Sequence, residues 1–217
     1  MSAVSAAERV WLFDLDNTLH DAVPHVFPRI NLSMTAYMAQ QLRLSEHQAA
    51  ALRVHYWHRY GATLLGLIRH HGVSPRDFLW RTHQFDDLPA LLVADPAMPA
   101  ILRRLPGRKI VFSNAPAHYA GAVLRALGLA PHFDGVFAIE HMRYRPKPRL
   151  AGFLALLRRH RLSAGRCVMV EDTAINLRTA KLLGMKTVWL ADRATTPAWV
   201  DVRLQSLREL PRALSRL

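Results

Sequence analysis

The feature of this sequence that most constrains its fold is a regular alternation along most of the chain. Short apolar runs rich in β-branched and aromatic residues are separated by stretches in which apolar residues have helical spacing. The predicted strands are Val10–Asp14, Lys109–Ser113, Val136–Ile139, Cys167–Val170 and Thr187–Ala191. The helices predicted between them include Ala120–Leu127, Leu150–His160 and Ile175–Leu183. Because strands that alternate with helices pair in parallel, the pattern predicts an α/β fold built on a parallel sheet.

One segment interrupts this alternation. Residues 20–95 contain several helical patterns and no convincing strand. The predicted helices are Phe27–Leu42, Glu46–Tyr60, Thr63–His70 and Pro75–Gln84. We therefore expect a helical cap at 20–95 and a core formed by 1–19 and 96–217. A cap inserted after the first strand could act as a lid that excludes water and selects substrates, and the alternative is a set of packing helices without such a role.

Composition and cysteine usage indicate a globular protein in a reducing compartment. Apolar residues make up 51% of the 217 residues and charged residues 21%, which is enough to bury a core and argues against disorder. The single Cys167 lies in an apolar run, so no intramolecular disulfide can form. The opening residues lack the pattern of a signal peptide, and no run approaches the ~20 apolar residues of a membrane span. We expect a cytoplasmic protein without a membrane partner.

The net charge of +13 raises the question of nucleic-acid binding. The arginines are spread along predicted helix faces and loops, without interleaved aromatic residues or a known binding motif. We therefore expect no nucleic-acid partner, and interpret the charge as a solvated surface that also attracts anionic substrates. A basic nucleic-acid-binding protein with purely structural acids is kept as a distant alternative.

Two acidic residues mark the end of the first predicted strand. Asp14 ends the strand and Asp16 follows two residues later. If the backbone turns there, both carboxylates can face one cavity, one as a nucleophile and one as a general acid and base. An Asp pair in this position is also common in turns and helix caps, so the pair alone leaves both interpretations open.

Polar and cationic residues follow further along the chain. Ser113 and Asn114 come at the end of the second strand and would present a hydroxyl group and backbone N–H groups to an anionic oxygen. Lys147 lies between Pro146 and Pro148, which fix the local backbone and so position the cation. Taken alone, these are an ordinary exit from a strand and an ordinary loop lysine.

A second acidic pair, Glu171 and Asp172, ends the strand Cys167–Val170. Carboxylate oxygens at a strand end suit Mg²⁺, although the pair could also cap the following helix. The combination is more specific than its parts, because the carboxyl ends of parallel strands meet at one edge of the sheet. That edge would hold a nucleophile, an acid and base, phosphate donors, a cation and metal ligands.

Taken in order, Asp14–Thr18, Ser113, Lys147 and Glu171–Asp172 resemble the four motifs of the haloacid dehalogenase superfamily, over the whole chain. The resemblance implies a Rossmann-like core with an inserted α-helical cap, Mg²⁺ as cofactor and an aspartyl-phosphate intermediate. It implies that Asp14 attacks phosphorus, and that Asp16 protonates the leaving oxygen and then activates water. Ser113, Asn114 and Lys147 would bind the phosphoryl group.

The resemblance also implies the metal ligands. Asp14, Asp172 and the backbone carbonyl of Asp16 would hold Mg²⁺, with Glu171 as an outer partner. The sequence departs from a common variant of the pattern, because many members carry a further acid where this chain has Asn176. The departure concerns the surroundings of the metal rather than the metal itself.

The stretch 56–64 of the predicted cap and the segments 105–109 and 112–114 are similar to the pyrimidine 5′-nucleotidase group. This similarity implies a small phosphorylated substrate, a nucleoside monophosphate, with Tyr60 and Thr63 as candidate base contacts. A phosphatase of sugar phosphates or phosphoglycolate, and a phosphomutase on the same core, remain alternatives. The cap aromatics could equally be packing residues.

Overall fold

The computed structural model describes residues 9–217, which fall into two compact units. One unit, the core unit, contains the residues up to Asp21 together with Leu92–Leu217, and the other, the helical unit, is Ala22–Leu91. The expected cap boundaries of 20 and 95 lie a few residues outside the helical unit. The reason is local, because the backbone N–H of Asp21 donates to the carbonyl of Val93 at 2.7 Å and so pairs the two connecting segments inside the core unit.

The core unit is built on a six-stranded parallel sheet with the strand order β3-β2-β1-β4-β5-β6, and the expected α/β fold is confirmed. The strands are β1 (Val10–Phe13), β2 (Arg108–Phe112), β3 (Gly135–Phe137), β4 (Cys167–Glu171), β5 (Lys186–Leu190) and β6 (Val202–Leu204). Every residue of β1 and β4 is buried, which explains why these strands read as continuous apolar runs. The short strand β6 was missed by the sequence analysis.

Helices connect these strands. They are α6 (Met98–Arg103), α7 (Ala117–Ala126), α8 (Leu150–His160) and α9 (Ala174–Leu182). Helix α7 begins three residues before its predicted start, because the Glu140 carboxylate accepts the backbone N–H of Ala117 at 3.1 and 3.2 Å. A carboxylate that comes from a distant part of the chain thus satisfies the free N–H at the beginning of this helix.

The helical unit contains five helices and no strand. They are α1 (Val26–Leu42), α2 (Glu46–Tyr60), α3 (Thr63–His71), α4 (Pro75–Thr82) and α5 (Leu88–Leu91). Ser45 and Gln48 form a capping box at the start of α2, and Gly61 ends the helix at a φ of +80°, which favours glycine. Close packing of α2 on α3 depends on Gly66, since a Cβ there would overlap the ring of Tyr56.

Among the residues that the structure describes, no helix combines the length and apolar character required for a membrane span.

Candidate active site

The sheet reverses its winding at β1, with β2 on one side and β4 on the other. Ligand sites in open parallel sheets lie beyond the carboxyl ends of the strands at such a point. Asp14 follows β1 directly, and its backbone N–H donates to the Val170 carbonyl at 3.0 Å, which extends the pairing with β4. The nucleophile predicted from the sequence is therefore beside the acidic end of β4.

Lys147 lies at the centre of this group and is 4% exposed. Its ammonium donates to Asp14 Oδ1 at 2.7 Å, to Glu171 Oε2 at 2.7 Å and to the Phe112 carbonyl at 2.8 Å. An ammonium has three hydrogens, so all of them are used. A loop lysine of the sequence is thus a fully bonded, buried cation.

Asn114 fixes the backbone of this lysine. Its side-chain Nδ2 donates to the Lys147 carbonyl at 3.1 Å, and its Oδ1 accepts the Lys147 backbone N–H at 2.8 Å. One of the two amide hydrogens and the amide oxygen are thus engaged with Lys147, so the Asn114 side chain positions this lysine. Ser113 is buried, and its Oγ accepts the backbone N–H of Ala115 at 3.0 Å.

Burial has the largest effect on the pKa values of this group, and the neighbouring charges modify it. Burial, followed by the charge of Glu171, raises the pKa of Asp14 to about 7, although Lys147 acts in the opposite direction. Burial also raises the pKa of Glu171 and of Asp172. For Lys147, burial opposes the charged form, but the carboxylates of Asp14 and Glu171 outweigh it and hold its pKa above the usual range.

The acidic residues fit a divalent cation. Asp14, Glu171 and Asp172 each offer a carboxylate oxygen, and these oxygens lie within 4.8 Å of one another. Three ionised carboxylates and one ammonium leave a formal charge of −2, which one divalent cation would neutralise. Carboxylate oxygen is also the ligand type that Mg²⁺ prefers.

The contacts distinguish Glu171 from Asp172. Glu171 Oε2 accepts from Lys147 and, at 3.0 Å, from Asn176, while Oε1 accepts the Thr173 N–H at 3.2 Å. Glu171 thus already has protein donors on both oxygens, as suits an outer partner. Asp172 is less buried, and the Trp189 indole donates to its backbone carbonyl at 2.7 Å. Asn176 therefore supports Glu171.

Asp16 has two partners that the sequence analysis missed. Tyr119 on α7 donates its hydroxyl to Asp16 Oδ1 at 2.7 Å, and His20 Nε2 lies 3.0 Å from the same oxygen. The spacing of four residues between Asp16 and His20 was a weak signal for this contact. The contact of Tyr119 with Asp16 had no signal in the sequence, since it depends on how α7 packs against the sheet.

The candidate base contacts lie in the helical unit. Tyr60 is partly exposed, and its hydroxyl is 2.6 Å from His70 Nε2. Thr63 is buried at the start of α3, and its hydroxyl donates to the Arg53 carbonyl at 3.1 Å. The contacts of both residues described here are inside the helical unit, and those of Thr63 are typical of helix packing.

A parallel sheet with a helical insertion after β1, and an acidic group around a buried lysine at the sheet's switch point, define a Rossmann-like α/β protein with a carboxylate-based site. The model of the haloacid dehalogenase-like hydrolase family matches residues 9–184. The chain belongs to this family, and the superfamily resemblance is confirmed.

Curated proteins similar to this chain include one that is named as a phosphatase. "Phosphate metabolism protein 8" of Saccharomyces cerevisiae is 26% identical over 196 residues, which cover 82% of this chain and 60% of the yeast protein. "Fructose-1-phosphate phosphatase YqaB" of Escherichia coli is 32% identical over 78 residues, 36% of this chain and 41% of that protein. The matches therefore span less than two thirds of the length of either relative.

A solved structure supports the fold. A haloacid dehalogenase (HAD) phosphatase from Thermococcus onnurineus superposes with a TM-score of 0.68 at 21% identity, covering 95% of this chain and 97% of its own. At this level of identity the similarity extends to the fold alone.

Proposed function

We propose that this chain is a Mg²⁺-dependent phosphomonoester hydrolase that uses Asp14 as a covalent nucleophile. The observation that carries the proposal is the Lys147 ammonium, 2.7 Å from both Asp14 and Glu171, within a group of carboxylates suited to a divalent cation. A phosphate dianion can approach a carboxylate only where cations offset their repulsion.

The chemistry follows from the roles of the residues. An oxygen of Asp14 forms a bond to phosphorus as the bond to the leaving oxygen breaks, and Asp16 gives that oxygen its proton. Asp16 then accepts a proton from water, which attacks phosphorus, releases inorganic phosphate and restores Asp14. Ser113 binds a phosphoryl oxygen, and Lys147 turns one of its three hydrogens from a protein acceptor to another phosphoryl oxygen. Mg²⁺, bound by Asp14, Asp172 and the Asp16 carbonyl, would supply the remaining positive charge.

Replacing the nucleophile tests the mechanism. Asp14→Asn keeps the shape of the side chain and removes its nucleophilic charge, so we expect no steady-state release of phosphate from p-nitrophenyl phosphate. Circular dichroism and thermal unfolding serve as controls for folding. Phosphate release by the pure variant above the level of a mock preparation would refute covalent catalysis by Asp14. Full wild-type activity in EDTA would separately refute the metal requirement.

For the substrate, we propose a nucleoside monophosphate, with pyrimidines favoured. The support is the similarity of residues 56–64 to the pyrimidine 5′-nucleotidase group, together with the exposed aromatic and histidine side chains that α2 and α3 offer a base. A second candidate is a sugar phosphate. The name of the similar Escherichia coli phosphatase favours it.

A substrate panel separates these candidates. We expect kcat/KM for UMP and CMP to exceed that for AMP and GMP. A site shaped for a single ring would force a purine to clash with its walls, or would leave polar groups without hydrogen-bond partners. Tyr60→Phe should change this ratio and leave p-nitrophenyl phosphate much less affected, with Tyr37→Phe in the same unit as the matched control. Thr63 is a poorer probe, since its buried hydroxyl supports packing. A kcat/KM for fructose 1-phosphate that is higher than that for every nucleotide would favour the second candidate.

A further inference from the structure

The side chain of Asp16 is held asymmetrically. Both of its protein partners contact the same oxygen, with the Tyr119 hydroxyl 2.7 Å and the His20 Nε2 3.0 Å from Oδ1. Within residues 9–217, Oδ2 has no hydrogen-bond partner. A carboxylate can accept on both oxygens, so this distribution leaves one oxygen committed to the protein and the other available.

The two donors are built into the core unit. Tyr119 is 1% exposed and lies in the first turn of α7, the helix whose start is held by Glu140. His20 is 3% exposed, and the turn after β1 returns its backbone beside Asp16 in an isolated bridge. Both side chains are therefore held in the buried interior of the core unit.

The histidine has a further property that points to this contact. Its Nδ1 is buried and lacks a hydrogen-bond partner, so among the described residues its hydrogen bonding consists of the contact with Asp16. Burying an unsatisfied polar nitrogen is costly, and an apolar residue would fill the position without that cost. Because Oδ1 is an acceptor, Nε2 carries the hydrogen and donates.

We propose that Tyr119 and His20 are positioning residues that hold Oδ1 of Asp16 and reserve Oδ2 for proton transfer to the leaving oxygen and from water. This inference rests on the proposed function. With two donors on Oδ1, the proton of neutral Asp16 belongs on Oδ2, and Oδ1 stays an acceptor in both protonation states. The same side-chain orientation therefore serves both halves of the reaction, so Asp16 need not turn between giving and accepting a proton.

The leaving group provides the test. An aryl phosphate such as 2,4-dinitrophenyl phosphate leaves without a proton, whereas phenyl phosphate and alkyl phosphates require one. General acid catalysis contributes ~10²–10⁴-fold to the rate. We therefore expect Tyr119→Phe to lower kcat/KM for phenyl phosphate by at least ~10-fold. For 2,4-dinitrophenyl phosphate we expect a loss below ~3-fold, since little of the acid's ~10²–10⁴-fold contribution is needed there.

Matched variants separate positioning from stability. Tyr37→Phe removes the same kind of bond, a tyrosine hydroxyl to an aspartate at 2.8 Å, in the helical unit, and should lose equally little with both esters. His20→Gln retains a donor where Nε2 lies and should keep most of the activity toward phenyl phosphate, while His20→Leu should lose it. The KM for each ester should change little compared with kcat.

The outcomes are distinct. An equal loss on both esters, or no loss on either, would overturn the positioning role. A crystal structure of Tyr119→Phe in which Asp16 keeps its side-chain orientation would also overturn it, and this readout does not require activity. If wild-type protein releases no phosphate from any ester, or if Asp14→Asn remains active, it is the proposed function that fails.

Discussion

Lys147 links stability and chemistry at the scale of a single residue. Its ammonium is the cation that faces the buried carboxylates of Asp14 and Glu171 at 2.7 Å. Removing one partner of a buried ion pair leaves the other charges uncompensated. This destabilises the folded protein far more than the intact pair stabilises it. The residue that orients the phosphate in the proposed reaction is thus also required for a stable resting site.

Lys147→Met should therefore abolish turnover and lower the free energy of unfolding by about 3–5 kcal/mol. The matched control is Lys181→Met. The Lys181 side chain is 38% exposed, so the loss of its ion pair with Asp201 should cost about 1 kcal/mol, much less than the loss of the buried Lys147. Urea denaturation without added metal measures both values. Equal stability of the two variants would contradict the structural role of Lys147.

Much of the site could be predicted from the sequence, because parallel topology brings the carboxyl ends of strands together. Asp14, Ser113 and Glu171 needed only the recognition of strands and their ends. Tyr119 and His20 could not be predicted, since their contacts depend on the docking of α7 and on the exact turn after β1. The sequence holds no signal for Tyr119, and for His20 it holds only the spacing of four residues from Asp16.

At the scale of elements, burial decided which predictions were accurate. The five predicted strands are within one or two residues of their observed bounds, because they carry short β-rich apolar runs, bounded by polar residues, that are largely buried in the sheet. Helices α2 and α8 have the predicted bounds. Strand β6 and helix α6, with three and six residues, are too short to show a period.

Gly66 sets how closely α2 and α3 approach in the helical unit. An added Cβ would overlap Cγ of Tyr56 and lie 2.7 Å from Tyr56 Cβ, atoms close to the backbone that cannot move aside easily. Gly66→Ala should therefore introduce about 1–3 kcal/mol of strain. The higher helix propensity of alanine than of glycine would offset about 1 kcal/mol of this strain.

Hydrogen exchange of the α2 and α3 amides provides the local measurement for this variant, and we expect faster exchange there. Gly121→Ala in α7 is the matched helical control, because the nearest atom to its Cβ is the end of the flexible Arg125 side chain at 3.3 Å. That variant should be neutral or slightly stabilised. Slower exchange in α2 and α3 of Gly66→Ala would contradict the packing argument.

At the scale of the whole molecule, the fold gathers charges that the sequence disperses. Basic residues occur where four of the parallel strands begin, namely Arg9, Arg108, Arg166 and Lys186. Helix α8 also ends near this edge, with Arg158, Arg159, His160 and Arg161 at its terminus. In the sequence these residues are far apart, and only the sheet order shows that strand starts are neighbours. The sheet order thus places several positive charges along one edge of the core unit.

His160 reports on this concentration of charge. Burial, followed by the charges of Arg108, Arg159 and His141, lowers the pKa of His160 below 6.5. Well above pH 6.5 the residue is neutral in the folded and in the unfolded chain, and it has no effect on stability through protonation. Below that pH the unfolded chain binds the proton more readily, so stability falls with pH and levels off below the folded-state pKa.

We therefore expect the unfolding free energy of wild type, measured relative to His160→Gln, to decrease as the pH is lowered from about 7.5 to about 5. Taking the difference between the two proteins removes the opposing contribution of the active-site carboxylates, which both share. Arg159→Gln should reduce the decrease, because Arg159 is one of its causes. Arg158→Gln removes the same charge one residue earlier and should reduce it less. Urea midpoints at three pH values provide the measurement, and a relative stability of wild type that rises on acidification would show that the arginines do not disfavour the protonated His160.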